Sequence, residues 1–298
     1  MSTFIDRLAA GEFMAADGAT GTNLHRMGLQ AGISPEELVL EDPQLLIRLA
    51  SAFVEAGSDI ILTCTFGGSS IRLQETRVAG SAREINLQAA ALARRAAFAR
   101  PGVLVGGSIG PLGKLLKPYG PLNAEVALRS LTEQARALAD GGVDLLVIET
   151  QFALEEAKLA VQAAQSQSEL PIVISFSYDR GVRTMMGVKP SQMVETFAPL
   201  GVAAIGANCG TSLENMLKIV GELASLTSLP IWAKPNAGLP VLNPETAETE
   251  YAITPVQMAE FASQYIQAGA RIVGGCCGST PEHVHAIVQA VRAAATSA

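Results

Sequence analysis

One short pattern recurs four times along this chain: the end of a helix, a glycine, then an apolar run. It stands at residues 55–62, 140–147, 199–205 and 267–273. Glycine lacks a Cβ and takes the left-handed backbone that closes a helix. An apolar run without polar alternation directly behind it reads as a strand buried on both faces. Three more such runs are entered through proline, at 101–106, 171–176 and 230–234, and a further one lies at 13–17. Amphipathic stretches separate them. One begins at Asp42 as N-cap with Pro43 behind it, places Leu45, Leu46, Leu49 and Phe53 at helical spacing, and ends at Gly57. Strands that alternate with helices pair in parallel. Eight such units predict an α/β chain folded as one (β/α)8 barrel over residues 1–298. A doubly wound open sheet is the alternative, and its dinucleotide fingerprint is missing.

The same repeat aligns the chemistry. Seven residues beyond Gly57, Gly142, Gly201 and Gly269 stand Cys64, Glu149, Asn208 and Cys276, with Cys209 one step further. These positions fall at the C-terminal ends of the second, fourth, sixth and eighth strands, the face on which barrels carry active sites. Cys276 and Cys277 are adjacent, and successive strand residues point to opposite faces. Both thiols address one site only where the strand has already ended. Gly274, Gly275 and Gly278 permit that, and Ser279 or Thr280 with Pro281 then starts a helix. Cys209, Cys276 and Cys277 are therefore read as the ligands of one Zn2+. Three protein ligands leave a fourth position open, the pattern of catalytic rather than structural zinc. The plainer alternatives are small buried residues or a redox pair, and the spacing matches no zinc finger. Three sulfurs donate strongly and weaken the metal toward water. They suit a fourth, substrate thiol, which coordination deprotonates. The expected chemistry is alkylation of that thiol.

Composition narrows the field further. A formal net charge of −7 argues against nucleic acid or an anionic membrane as partner. No apolar run is long enough to span a bilayer. The first seven residues lack the apolar stretch of a signal peptide. Four cysteines in 298 residues make no disulfide framework, so a reducing, cytoplasmic setting is expected. The glycine-bearing loop at 17–22 lacks the lysine of a phosphate-binding P-loop. The polar, proline-bearing segment at 239–250 is the longest expected loop beyond a strand top and a candidate cover for the site.

Read in order, Asp17-Gly18-Ala19-Thr20-Gly21-Thr22, Thr65-Phe66-Gly67, Gly110-Pro111, Glu149-Thr150, Asn208-Cys209, Pro235-Asn236-Ala237-Gly238 and Gly274-Gly275-Cys276-Cys277-Gly278 resemble the zinc-dependent homocysteine S-methyltransferases. That family includes the homocysteine-binding module of cobalamin-dependent methionine synthase. The resemblance covers nearly the whole chain. It implies a barrel, zinc on Cys209, Cys276 and Cys277, and homocysteine or a similar small thiol as methyl acceptor in methionine biosynthesis. It further implies that Asp17 and Glu149 hold the acceptor's amino group with help from backbone near Gly18. Phe66 and Asn236 then line the pocket, with Ser108 as a further contact. Two carboxylates at strand tops agree with that role, since each can make a charge-assisted hydrogen bond to an ammonium. With no second domain in view, the methyl donor is expected to be a small molecule entering the same mouth or a methyl-corrinoid protein acting in trans. Three positions depart from the family pattern: Cys64 replaces an asparagine, Lys234 an acidic residue, and Gly210 a serine. The rival readings are a zinc hydrolase and a zinc-stabilised binding module. The first normally uses histidine or carboxylate ligands. The second needs a fourth protein ligand, for which Cys64 is the spare cysteine.

Overall fold

The structure, a computed structural model, describes residues 3–210, 212–242 and 249–296. Eight parallel strands form the barrel: β1 Met14–Ala15, β2 Ile60–Leu62, β3 Leu104–Ile109, β4 Leu145–Gln151, β5 Ile172–Phe176, β6 Ala204–Cys209, β7 Ile231–Pro235 and β8 Ala270–Val273. Each pairs with its sequence neighbour, and β8 returns to pair with β1. Between β1 and β2 the ring is closed by a single parallel bridge, Ala16 to Ile60. Backbone bonds flank that bridge, from Asp59 N to Ala15 O at 2.7 Å and from Asp17 N to Ile60 O at 2.9 Å. The predicted (β/α)8 barrel is the observed fold.

The four repeat glycines do what the sequence asks of them. Gly57, Gly142, Gly201 and Gly269 have φ of 105°, 79°, 71° and 111°, so each helix is stopped by a left-handed residue before its strand. The strands then present alternate residues inward. Met14, Ile60, Leu104, Leu145, Val147, Val173, Ala204, Trp232 and Ile272 fill the barrel as one buried cluster. Phe4, from the helix Phe4–Ala9, is part of that cluster and closes the bottom. Outward-facing strand residues pack against the helices. Ala82–Ala97 is an example: six buried alanines line its inner face and allow a close approach to the sheet.

Asp59 and the Asp17–Lys234 pair put buried charge at the two ends of the barrel. At the bottom, buried Asp59 accepts from Ala15 N at 2.9 Å. It also faces Arg292 at 2.6 Å, Arg7 at 3.3 Å and Arg100 at 3.9 Å. At the top, Val241–Leu242 pairs antiparallel with Thr249–Glu250, and all four residues are exposed. The expected cover over the site falls partly on residues 243–248, which lie outside the described residues.

Candidate metal centre and its pocket

Cys209 is the last residue of β6, in register with Pro235 of β7. Cys276 and Cys277 lie just beyond the end of β8. They meet because the chain leaves β8 in a turn clamped to β7. Cys276 N donates to Pro235 O at 2.7 Å, Ala237 N donates to Cys277 O at 2.8 Å, and Cys277 N donates to Asn236 Oδ1 at 3.0 Å. Ser279 tightens the turn by donating to Cys276 O at 2.6 Å, which leaves Thr280 as the N-cap of the following helix. A Cβ on Gly275 would stand 2.3 Å from Ser279 Oγ, so only glycine fits there.

The result is a three-sulfur centre. Cys209 Sγ lies 3.0 Å from Cys276 Sγ and 3.8 Å from Cys277 Sγ, and all three sulfurs fall within 4.8 Å of one another. Sulfurs at about 2.3 Å from a tetrahedral ion would stand roughly 3.8 Å apart, so the spread fits a metal of that kind. Among the described residues no other cysteine, histidine or carboxylate joins the group. The three thiols lie within hydrogen-bonding reach of one another. Bonds to the other two sulfurs, then burial, hold Cys209 well above the ordinary thiol range. Donation from Cys209 and Cys276 pulls Cys277 down. A set that already favours one thiolate suits a cation.

Asn208 holds this centre against the neighbouring strands. Its Oδ1 accepts from Thr150 N at 2.8 Å and from Ser175 Oγ at 2.6 Å. Its Nδ2 donates to Thr150 Oγ1 at 2.7 Å and reaches Cys276 Sγ at 3.8 Å. Among the described residues, Thr150 and Cys209, with φ of 59° and 57°, are the non-glycine residues of left-handed backbone, and both touch this network or follow Asn208 directly. Such backbone is costly for residues with a Cβ and persists where the surroundings impose it.

The sulfurs open onto a cavity of about 460 Å³, lined among others by Gly18, Phe66, Ser108, Glu149 and Lys234. Glu149 Oε1 accepts from Ser108 Oγ at 2.5 Å. Burial pushes the Glu149 carboxyl up to about 7, against the lowering pull of Lys234. Phe66 stands at the mouth, 39% exposed. Cys64 also lines the cavity, packs against the core, and is kept protonated by burial and then by Glu36.

Two of the expected acceptor contacts are placed differently. Asp17 does not line the cavity. Its Oδ1 accepts from Lys234 Nζ at 2.6 Å and its Oδ2 from Leu62 N at 2.7 Å, so both oxygens are already engaged. Asn236 likewise does not line the cavity. Its amide is used by Cys277 N and by Gly210 O at 3.1 Å, which makes it a brace for the two cysteine-bearing turns. The sequence reading missed Glu36, which lines the cavity and holds Gly67 N at 2.6 Å. Asn208 was signalled by the seven-residue count from Gly201 and by its place beside Cys209, but its bonds to Thr150 and Ser175 were not.

The sequence profile of the homocysteine S-methyltransferase family matches residues 14–291. The methionine synthases of Mycobacterium leprae and Mycobacterium tuberculosis are each 31% identical over 294 residues, covering 93% of this chain. The chain spans about a quarter (24%) of the length of these curated relatives. The metallated homocysteine methyltransferase MmuM of Escherichia coli superimposes with a TM-score of 0.80 at 24% identity, covering 95% of this chain and 97% of that one. The apo form of MmuM gives 0.74 over the same coverage. These superpositions bear on the fold, and the profile match over nearly the whole barrel decides the rest: this chain belongs to the homocysteine S-methyltransferase family.

Proposed function

We propose that the chain transfers a methyl group to the thiol of homocysteine or a similar small thiol, with Cys209, Cys276 and Cys277 holding one zinc ion. The observation that carries this reading is the convergence of three sulfurs, with no fourth protein ligand among the described residues, on the wall of a cavity. The donor set is all thiolate, which zinc favours, and the spread of the sulfurs fits tetrahedral coordination. Bound there, zinc would supply the acidity that makes a substrate thiol a thiolate at neutral pH.

The chain's own residues do the rest. Asn208 and Asn236 fix the two cysteine turns relative to each other. Glu149, steadied by Ser108, presents a carboxylate to the amino end of the acceptor. Phe66 shields the mouth. In the transfer the acceptor loses its thiol proton and its sulfur forms the bond to the methyl carbon. The donor's bond to that carbon breaks, and the electron pair stays with the donor. The donor is a small molecule such as S-methylmethionine, S-adenosylmethionine or betaine, or a methyl-corrinoid protein in trans. The mycobacterial relatives are named methionine synthases, which favours homocysteine as the acceptor. The three-sulfur centre supports this reading over a zinc hydrolase, and the place of Cys64 outside that centre supports it over a closed structural site.

The test pairs a metal readout with turnover. Zinc-loaded protein is probed by X-ray absorption with and without homocysteine, then supplied with each donor while methionine is followed by mass spectrometry. The metal shell is expected to hold three sulfurs and to gain one from homocysteine. Four protein sulfurs before substrate, unchanged after it, would sink the proposal.

A further inference from the structure

The Asp17–Lys234 pair changes what the pocket reads. Both side chains are about 3% exposed, and they meet at 2.6 Å. Asp17 forms the far end of the pair and is walled off from the cavity, whereas Lys234 forms the near end and lines it. Burial alone would discharge the lysine. The Asp17 and Glu149 carboxylates outweigh it and raise the lysine's pKa. An ammonium has three N–H donors, and the contact to Asp17 engages one of them. An acceptor entering toward Ser108 and Glu149 thus meets a cation where the family pattern implies an anion. An amino group would have to displace Lys234 to reach Asp17, leaving a second buried cation beside the first, which is strongly unfavourable.

We propose, resting on the thiol-acceptor reading above, that this pocket holds its acceptor by an anionic group on Lys234, so that the substrate class is short aliphatic thiols bearing a carboxylate, with the α-amino group dispensable. A zwitterion such as homocysteine fits with its carboxylate on Lys234 and its ammonium on Glu149. The selective contact is the first of these, because Lys234 lines the cavity with one N–H on Asp17 and two to offer, whereas Glu149 already spends one oxygen on Ser108.

The experiment is calorimetric titration of zinc-loaded protein with three thiols of matched length. They are homocysteine, γ-mercaptobutyrate, which keeps the carboxylate, and aminopropanethiol, which keeps the amine. Wild type is expected to bind mercaptobutyrate within a few-fold of homocysteine and aminopropanethiol roughly tenfold or more weaker, the usual scale of one charge-assisted contact. Because Lys234→Met alone would strand Asp17 as a buried charge, the variant is Asp17→Asn with Lys234→Met. It keeps the shape and removes both charges. It should lose roughly tenfold for mercaptobutyrate and homocysteine and little for aminopropanethiol. Tighter binding of aminopropanethiol than of mercaptobutyrate by wild type overturns the inference and leaves the thiol-acceptor reading standing. An equal loss for all three ligands in the double variant also overturns it, since Lys234 would then act through the fold. Failure of all three thiols to bind wild type overturns the acceptor reading itself.

Discussion

Asn208→Ala is the sharpest test of how the barrel holds its metal centre. The side chain is fully buried and makes three hydrogen bonds between strand tops, plus a longer contact to the Cys276 sulfur. Truncation leaves the Ser175 hydroxyl, which is wholly buried, and the half-buried Thr150 N–H without their acceptor. An unsatisfied buried polar group costs about 1–3 kcal/mol. Counting Ser175 in full and discounting Thr150 for its access to water gives a loss of about 2–4 kcal/mol. Relief of the left-handed backbone at Thr150 returns about 1 kcal/mol of that. The expected net is about 2 kcal/mol. With a urea slope of about 3 kcal/mol/M, the unfolding midpoint of metal-free protein drops by roughly 0.7 M. The same truncation frees Cys276 from a side-chain donor outside the cysteine set, and loss of such a supporting contact typically weakens metal binding about 10- to 100-fold. Chelator competition measures that directly. A variant with unchanged midpoint and unchanged zinc affinity would refute the view that Asn208 organises the centre.

The remaining predictions concern other links. Glu149 is raised from 4.5 to about 7 by burial, so the folded state holds a proton there that the unfolded chain has lost. Its contribution to stability is present below about pH 4.5 and is lost as pH rises toward 7, on the order of 3 kcal/mol in all. Glu149→Gln should therefore gain stability over wild type in metal-free protein at pH 8 and not at pH 4.5, and parallel melting curves at the two pH values would expose the opposite trend. Cys209→Ala, Cys276→Ala or Cys277→Ala should each abolish stoichiometric zinc with the circular dichroism of the barrel intact, whereas Cys64→Ala should keep it. Zinc loss in the Cys64 variant, read by elemental analysis, would make that residue a ligand. At the opposite end, Asp59→Asn removes the carboxylate that Arg7, Arg100 and Arg292 share, leaves Arg7 its pair with Glu12, and should cost about 2 kcal/mol in urea unfolding with zinc affinity unchanged. A silent variant would show that the bottom cluster is well enough solvated to need no anion.

Most of the fold was legible in the chain because its signals are local. A glycine that must adopt positive φ, a proline that opens a strand or a helix, and an apolar run too uniform for a half-exposed sheet each report on a few neighbouring residues. Repeating them eight times leaves little but a parallel barrel. The three cysteines were legible for the same reason: a fixed count from the repeat glycines places Cys209 and Cys276 on one face, and the glycines around Cys276 and Cys277 imply a turn. What sequence could not assign was which side chain meets which across the barrel mouth. Asp17 reads as an acceptor contact from its motif. Its partner, Lys234, lies 217 residues away in sequence and reaches it only because β7 and β1 flank β8 on the same closed ring. Asn236 reads as a pocket residue for the same reason and turns out to be a brace, because its amide is captured by Cys277 across the β7–β8 pair. Charge pairing and hydrogen-bond capture depend on distances of a few ångströms between distant segments. Closure of the barrel sets those distances, and no local pattern encodes them.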